Sequence, residues 1–166
     1  MKQFSRNHFY IDPWLQERIT KSKTVFLGTG LASTIAETMV RTGFCHFFLC
    51  DGDVVETSNL NRQNFTQSDV GKKKVLALKE RLLLIHPSIS CTCLEERMHS
   101  LQEIQAELDR ADIVINTVDC NPLYYEIIET CRKAKKGMVQ KGSKSGNTKR
   151  SGTCPLLDSF LENLMF

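Results

Sequence analysis

No run of about 18 consecutive apolar residues occurs in the 166-residue chain, so it holds no candidate transmembrane helix. Its amino terminus, MKQFSRNHFYIDPW, has polar residues where a secretory signal needs an apolar centre, and the expectation is a cytoplasmic protein that does not meet a membrane. No Cys-x-x-Cys pair is present, and the seven cysteines form an odd set, which argues against a zinc ribbon and a disulfide scaffold and for free thiols. Cys91 and Cys93, either side of Thr92, share one face of a strand and are expected to pack as small hydrophobes. The four histidines are scattered, none at metal-ligand spacing. No internal repeat is visible. Apolar residues make up 41% and charged residues 25%, which excludes a wholly disordered chain, a collagen-like repeat and a coiled coil. The 22 basic and 19 acidic residues leave a net charge of +3. The length fits one domain with a real core.

What is there alternates. Thr24-Val25-Phe26-Leu27 is a short β-prone apolar run ending at Gly28, and LASTIAETMVRT follows with Leu31, Ile35 and Met39 on one helical stripe, stopped by Gly43. His46 to Cys50 reads as a second strand running into Asp51-Gly52-Asp53, which completes a βαβ unit with a right-handed crossover. Further along, the pattern predicts a helix over 73–85 ended by His86-Pro87, and a strand over 89–94. A helix over 101–108, a strand over 112–118 with Asp119 at its mouth, a helix over 122–133 and a last strand over 137–140 follow. The order predicts an α/β domain of Rossmann type, an open, mainly parallel sheet with helices on both faces. The expected organisation is an extension over 1–23, a nucleotide-binding domain over 24–140 and a basic linker with a short apolar tail over 141–166. In that tail Leu157, Phe160, Leu161 and Leu164 stand at helical spacing. From Arg132 to Arg150 there are eight basic residues and no acid, a run that reads as a solvated face or as a nucleic-acid contact.

The candidate chemistry begins at the turn Gly28-Thr29-Gly30-Leu31-Ala32-Ser33 between the first strand and helix, where backbone amides and the helix dipole can cradle a phosphate. Asp51, 23 residues after Gly28, can accept hydrogen bonds from both ribose hydroxyls or simply cap the surface. Asn59 and Arg62, three residues apart, can set a neutral donor beside a planar guanidinium fork suited to phosphate oxygens. Lys74 adds a point charge, and Asp53 either binds or caps its loop. Asp119 can hold a hard cation or cap the helix that follows. A βαβ unit with Asp51 also suits a nicotinamide-dependent oxidoreductase, a reading that leaves Asn59, Arg62 and Asp119 without a role.

The segment Asp51-Gly52-Asp53-Val54-Val55-Glu56-Thr57-Ser58-Asn59-Leu60-Asn61-Arg62-Gln63, followed by Asp69-Val70-Gly71-Lys72-Lys73-Lys74, resembles the pattern D-x-D-x-V-x-x-S-N-L-x-R-Q and D-x-G-x-x-K of the ThiF/MoeB/HesA superfamily, the bacterial relatives of ubiquitin-activating enzymes. The likeness runs from about Val25 to Gln140. It implies ATP-dependent adenylation of the carboxyl terminus of a ubiquitin-like or sulfur-carrier protein, or of a peptide. Gly28, Gly30, Asp51, Asn59, Arg62 and Lys74 are then the nucleotide-binding residues. Asn59, Arg62 and Asp119 become catalytic, with Asp119 as the Mg²⁺ ligand. The resemblance also implies a homodimer, with Arg6 the candidate for an arginine lent to the partner subunit's site, and it admits a tRNA-modifying member. Departures are visible: the glycine turn is one residue shorter than G-x-G-G-x-G-S and has Ala32 for its last glycine. Family members continue past the equivalent of Gln140 with further strands, often zinc-binding Cys-x-x-Cys pairs and a nucleophilic cysteine. Cys154 has no aligned motif. The alternative expectation is a catalytically incomplete domain that binds nucleotide or a partner.

Overall fold

The computed structural model describes residues 2–119 and 121–140. The stretch 141–150 of the basic run, Cys154 and the apolar tail lie outside the described residues. The elements follow one another as helix α1 (Pro13–Lys21), strand β1 (Lys23–Leu27), helix α2 (Ala32–Thr42), strand β2 (His46–Cys50), helix α3 (Lys74–Ile85), strand β3 (Ser90–Leu94), helix α4 (Gln105–Arg110), strand β4 (Ile113–Asn116), helix α5 (Pro122–Lys133) and strand β5 (Gly137–Gln140).

The five strands among the described residues pair in parallel, in the order β3-β2-β1-β4-β5. Because strand side chains alternate between faces, one sequence feeds two cores. Phe26, Phe47, Leu49, Ile113 and Ile115 face α2 and α3, whose Ala36, Val40, Val75, Leu78 and Leu82 close the first core. Val25, Leu27, Cys50 and Val114 face the other way, against Leu108 of α4 and Ile127 and Cys131 of α5. This is the expected Rossmann-like layering. Cys91 and Cys93 do share a face of β3 and pack at the edge of the first core, where the Cys93 thiol approaches the Val75 carbonyl at 3.7 Å.

Three details differ from the sequence reading. Leu31 does not join the stripe of Ile35 and Met39: α2 starts at Ala32, and Leu31 stands 43% exposed before it. The helix expected over 101–108 is a 3₁₀ turn (Leu101–Ile104) that passes into α4. Within the expected extension over 1–23 the structure places helix α1. Asp12 and Pro13 mark its start, since proline suits the first helical position, and its Ile19 is buried. Phe4, buried ahead of it, stacks on His86 at 5.5 Å between ring centres. No helix among the described residues is long and apolar enough to cross a membrane.

β1 lies between β2 and β4, so the chain leaves β1 toward one side of the sheet and later returns to the other. At such a switch point the loops after neighbouring strands part and open a crevice at their carboxyl ends.

Candidate active site

A cleft of about 1010 Å³ fills that crevice, a size ample for a nucleotide-sized ligand. Gly28, Gly30, Asp51, Asn59, Arg62, Lys74 and Asp119, the residues singled out in the sequence, all line it. Residues scattered over 92 positions thus meet at the ends of β1, β2 and β4 and along the loop between β2 and α3.

The floor is the turn after β1. Gly28 has φ +81°, a left-handed conformation that side chains disfavour, and a Cβ there would meet Thr117 Oγ1 at 3.0 Å and the Val118 nitrogen at 3.1 Å. Thr117 in turn donates its hydroxyl to the Gly28 carbonyl at 2.9 Å, locking the ends of β1 and β4 together. The first turn of α2 leaves N–H groups without helical partners beside the cleft, an arrangement that suits an anion. Gly30 makes room for Gln63, whose amide nitrogen would lie 2.8 Å from an added Cβ and whose Oε1 is buried with no partner among the described residues.

Asp51 has a structural duty. Its Oδ2 accepts the Thr29 N–H at 2.7 Å and the Thr29 hydroxyl at 3.0 Å, and its Oδ1 accepts the Asp53 N–H at 3.0 Å. An ionised carboxylate can take about four hydrogen bonds, so capacity remains for one more. The sequence reading offered ribose binding or capping. The carboxylate caps the glycine turn and keeps an edge toward the cleft.

The loop from β2 to α3 and the start of α3 bring the donor side chains Asn59, Arg62 and Lys74 to the cleft. Asn59 is buried in a short 3₁₀ turn and accepts the Glu56 N–H on Oδ1 at 3.1 Å, which directs its amide nitrogen away from that bond. Arg62 is exposed, and its Nη1 donates to the Ser58 carbonyl and to Asn61 Oδ1, both at 3.0 Å. Among the described residues it forms no ion pair, which leaves most of its five N–H donors for an anion. Asn64 fastens the loop to α2 by donating from its backbone to Ser33 Oγ at 3.0 Å and from Nδ2 to Glu37 Oε1 at 2.6 Å. Lys74 is 8% exposed at its side chain and donates to Asp53 Oδ2 at 2.9 Å. Lys73 Nζ reaches the Gly52 carbonyl at 2.8 Å instead. Asp119 is exposed at the mouth beyond β4.

Cys50 is a cleft-lining thiol, but burial, helped by Asp51 and Glu103, pushes it up to about 12, so it stays protonated and is no nucleophile at neutral pH. Sequence reasoning missed Thr29, Gln63 and Thr117 as site residues. Thr29 and Gln63 lay inside the quoted motifs, and the signal for Gln63 was Gly30 itself, since a residue without a side chain invites a neighbour into the space. Nothing in the sequence marked Thr117.

The chain is similar to several known proteins. The sulfur carrier protein ThiS adenylyltransferase of Escherichia coli (strain K12) is 30% identical over 118 residues, covering 70% of this chain and 47% of that protein. The tRNA threonylcarbamoyladenosine dehydratase of Bacillus subtilis (strain 168) is 31% identical over 137 residues, covering 80% of this chain and 53% of its own length. Among solved structures, E. coli MccB with ATP superposes with a TM-score of 0.74 at 28% identity, covering 86% of this chain and 45% of that one. E. coli TcdA with ATP gives 0.79 at 24% identity over 89% of this chain and 62% of its own, a likeness of fold. The chain therefore spans about half the length of these two curated relatives, and only 32% and 36% of two others that it matches, a molybdopterin-synthase adenylyltransferase and a ubiquitin-like modifier-activating enzyme 5. The parallel sheet, the cleft at its switch point and the motif loop that lines it agree with a match over residues 4–150: the chain belongs to the ThiF family.

Proposed function

We propose that the cleft binds Mg-ATP and forms an acyl-adenylate on the terminal carboxylate of a ubiquitin-like or sulfur-carrier protein, or of a peptide. The observation that carries this reading is the convergence of the glycine turn, Asn59, Arg62, Lys74 and Asp119 on one cleft. The relatives add support, since they include adenylyltransferases of sulfur carriers and a protein crystallised with ATP.

In the proposed step an oxygen of the acceptor carboxylate attacks the α-phosphorus of ATP, the bond from that phosphorus to the bridging oxygen breaks, and pyrophosphate leaves with the electron pair. The carboxylate is already ionised at neutral pH, so no strong base is required. What the site must supply is positive charge and donors where phosphate charge shifts. Arg62 offers a guanidinium fork for phosphate oxygens, Asn59 a neutral donor beside it, and Lys74 a point charge from the wall. Gly28 and Gly30 let the backbone approach the nucleotide, and Asp51 offers its remaining hydrogen-bonding capacity to the sugar.

The donor set fits Mg²⁺, which is commonly held by one or two carboxylates with phosphate oxygens and water completing the shell. Asp119 is the carboxylate for it, and no group of three or more ligating side chains gathers among the described residues. When bound, the ion would neutralise phosphate charge. The same reading makes the protein a cytoplasmic homodimer, with Arg6 the candidate for an arginine serving the partner subunit's site.

ATP–pyrophosphate exchange with candidate acceptors tests the activity, and thermal unfolding with Mg-ATP or NAD tests the ligand. Mg-ATP at about 100 times its Kd should add about 2.7 kcal/mol of stability, with no gain from NAD and a reduced gain in Asp119→Ala. Arg62→Ala should slow exchange about 100-fold, the usual cost of one transition-state donor. Unchanged exchange in that variant refutes the role given to Arg62.

A further inference from the structure

Asp53 stands in the motif loop with no part in the scheme above, yet it holds the cleft's most buried cation. Lys74 is 8% exposed at its side chain and has its ammonium on Asp53 Oδ2 at 2.9 Å, while Asp53 is 51% exposed. The backbone repeats the link, because the Lys74 N–H donates to the Asp53 carbonyl at 3.0 Å. On the other side Arg97, from the loop after β3, brings a guanidinium nitrogen to 3.9 Å from Asp53 Oδ1. That loop sits directly on the preceding residue: a Cβ on Gly52 would lie 2.4 Å from the Arg97 backbone nitrogen. Gly52 is therefore small so that two loops can close, and the carboxylate beside it joins the wall carrying Lys74 to the wall carrying Arg97.

A lysine ammonium has three donors on a flexible stem, and fixing one of them on a carboxylate fixes the direction of the other two. Burying it without a partner would cost heavily, and a half-exposed anion beside a nearly buried cation offsets that cost while leaving the remaining donors turned to the cleft. We infer that Asp53 is the positioning residue for Lys74: it sets the ammonium toward the polyphosphate of a bound nucleoside triphosphate and touches no ligand itself. The inference rests on the nucleotide reading above. It has a definite sign, because an anion near a polyphosphate should by Coulomb repulsion alone weaken binding, so its removal would tighten it. Positioning predicts the reverse.

Calorimetric titration of the whole chain with Mg-ATP decides the matter, using wild type, Asp53→Ala, Asp53→Asn, Lys74→Met and the double variant Asp53→Ala with Lys74→Met. Asp53→Ala and Lys74→Met should each weaken binding about tenfold or more, the worth of a charge-assisted hydrogen bond. The double variant should bind no worse than Lys74→Met, since Asp53 acts through the lysine. Asp53→Asn keeps an acceptor for the ammonium and should recover part of the loss, and it serves as the folded reference should the alanine variant unfold. Losses that add in the double variant, or an Asp53→Asn protein that binds as tightly as wild type or more tightly, overturn the inference while leaving the nucleotide site intact. Wild type that takes up no Mg-ATP overturns the nucleotide reading, and this inference falls with it.

Discussion

Single side chains here work mostly by holding the backbone that lines the cleft. Thr29 is fully buried and supplies two of the three hydrogen bonds that Asp51 accepts, so the geometry of the glycine turn depends on one hydroxyl and two N–H groups. Valine has nearly the shape of threonine but no hydroxyl. Thr29→Val should cost about 1.5–3 kcal/mol, the range for a hydrogen bond to a charged group. The measurement is the urea midpoint at an unchanged denaturant slope. Thr29→Ser restores the donor and should lie near wild type; if serine and valine behaved alike, the Asp51 contact would carry no stability. At this scale the sequence was legible where residue type dictates chemistry. Asn59, Arg62 and Asp119 were marked by the groups they carry, and all three line the cleft. Thr29 and Thr117 were hidden because each is an ordinary polar residue whose meaning comes from a partner 22 and 89 positions away, whereas Gln63 had a signal in Gly30.

Among the elements, the stretch between β2 and α3 shows how a motif is built. Asp69 accepts both the N–H and the hydroxyl of Thr66, closing a capped 3₁₀ turn over Gln67–Asp69. Gly71 then turns at φ +89°, its N–H donating to the Val55 carbonyl at 2.9 Å, and the chain enters α3 with Lys74 first in line. The spacing D-x-G-x-x-K is thus a cap, a left-handed turn and a helix start that delivers a lysine to Asp53. Nothing lies within 4 Å of a Cβ placed on Gly71, so the penalty for Gly71→Ala is conformational alone, about 1–2 kcal/mol. Thermal unfolding should show it as a drop of about 2–4 °C per kcal/mol for a chain of this length. A variant as stable as wild type would mean that the loop relaxes out of the left-handed region. Element type was legible nearly throughout, since each strand was a β-prone run and each long helix had an apolar stripe and a stop. The fold's least legible part was α1. Its start signal at Asp12-Pro13 is local, but its buried face is only Ile19 with partial help from Leu15, too thin a stripe to outweigh the polar residues around it.

For the molecule as a whole, the motif loop is tied to the helical layer by charge as well as by the buried Val55 and Phe65, and the charged part of that attachment is sensitive to acid. Arg81 of α3 reaches Asp69 at 3.3 Å and Glu37 of α2 at 3.4 Å, and Glu37 also receives Asn64 from the loop. Burial by itself would raise the Asp69 carboxyl, but the hydrogen bonds from Thr66 and the Arg81 guanidinium outweigh it and hold the group below its ordinary value of 3.8. A carboxyl whose value is depressed on folding contributes its stability in full above the unfolded value, and the contribution is lost as pH falls through the folded one. Asp69→Asn removes the charge that Arg81 meets while keeping an acceptor for the turn. The variant should be less stable than wild type by about 1.5–3 kcal/mol near neutrality. That gap should hold constant down to about pH 5, begin to close below 3.8, where the unfolded carboxyl takes up its proton, and close fully once the pH has fallen through the lower folded value. Paired denaturation curves across this range measure it. A gap that stayed the same at about pH 3 would show that shape, not charge, holds the loop, and the loop that carries Asn59 and Arg62 would then owe nothing to the Asp69–Arg81 pair.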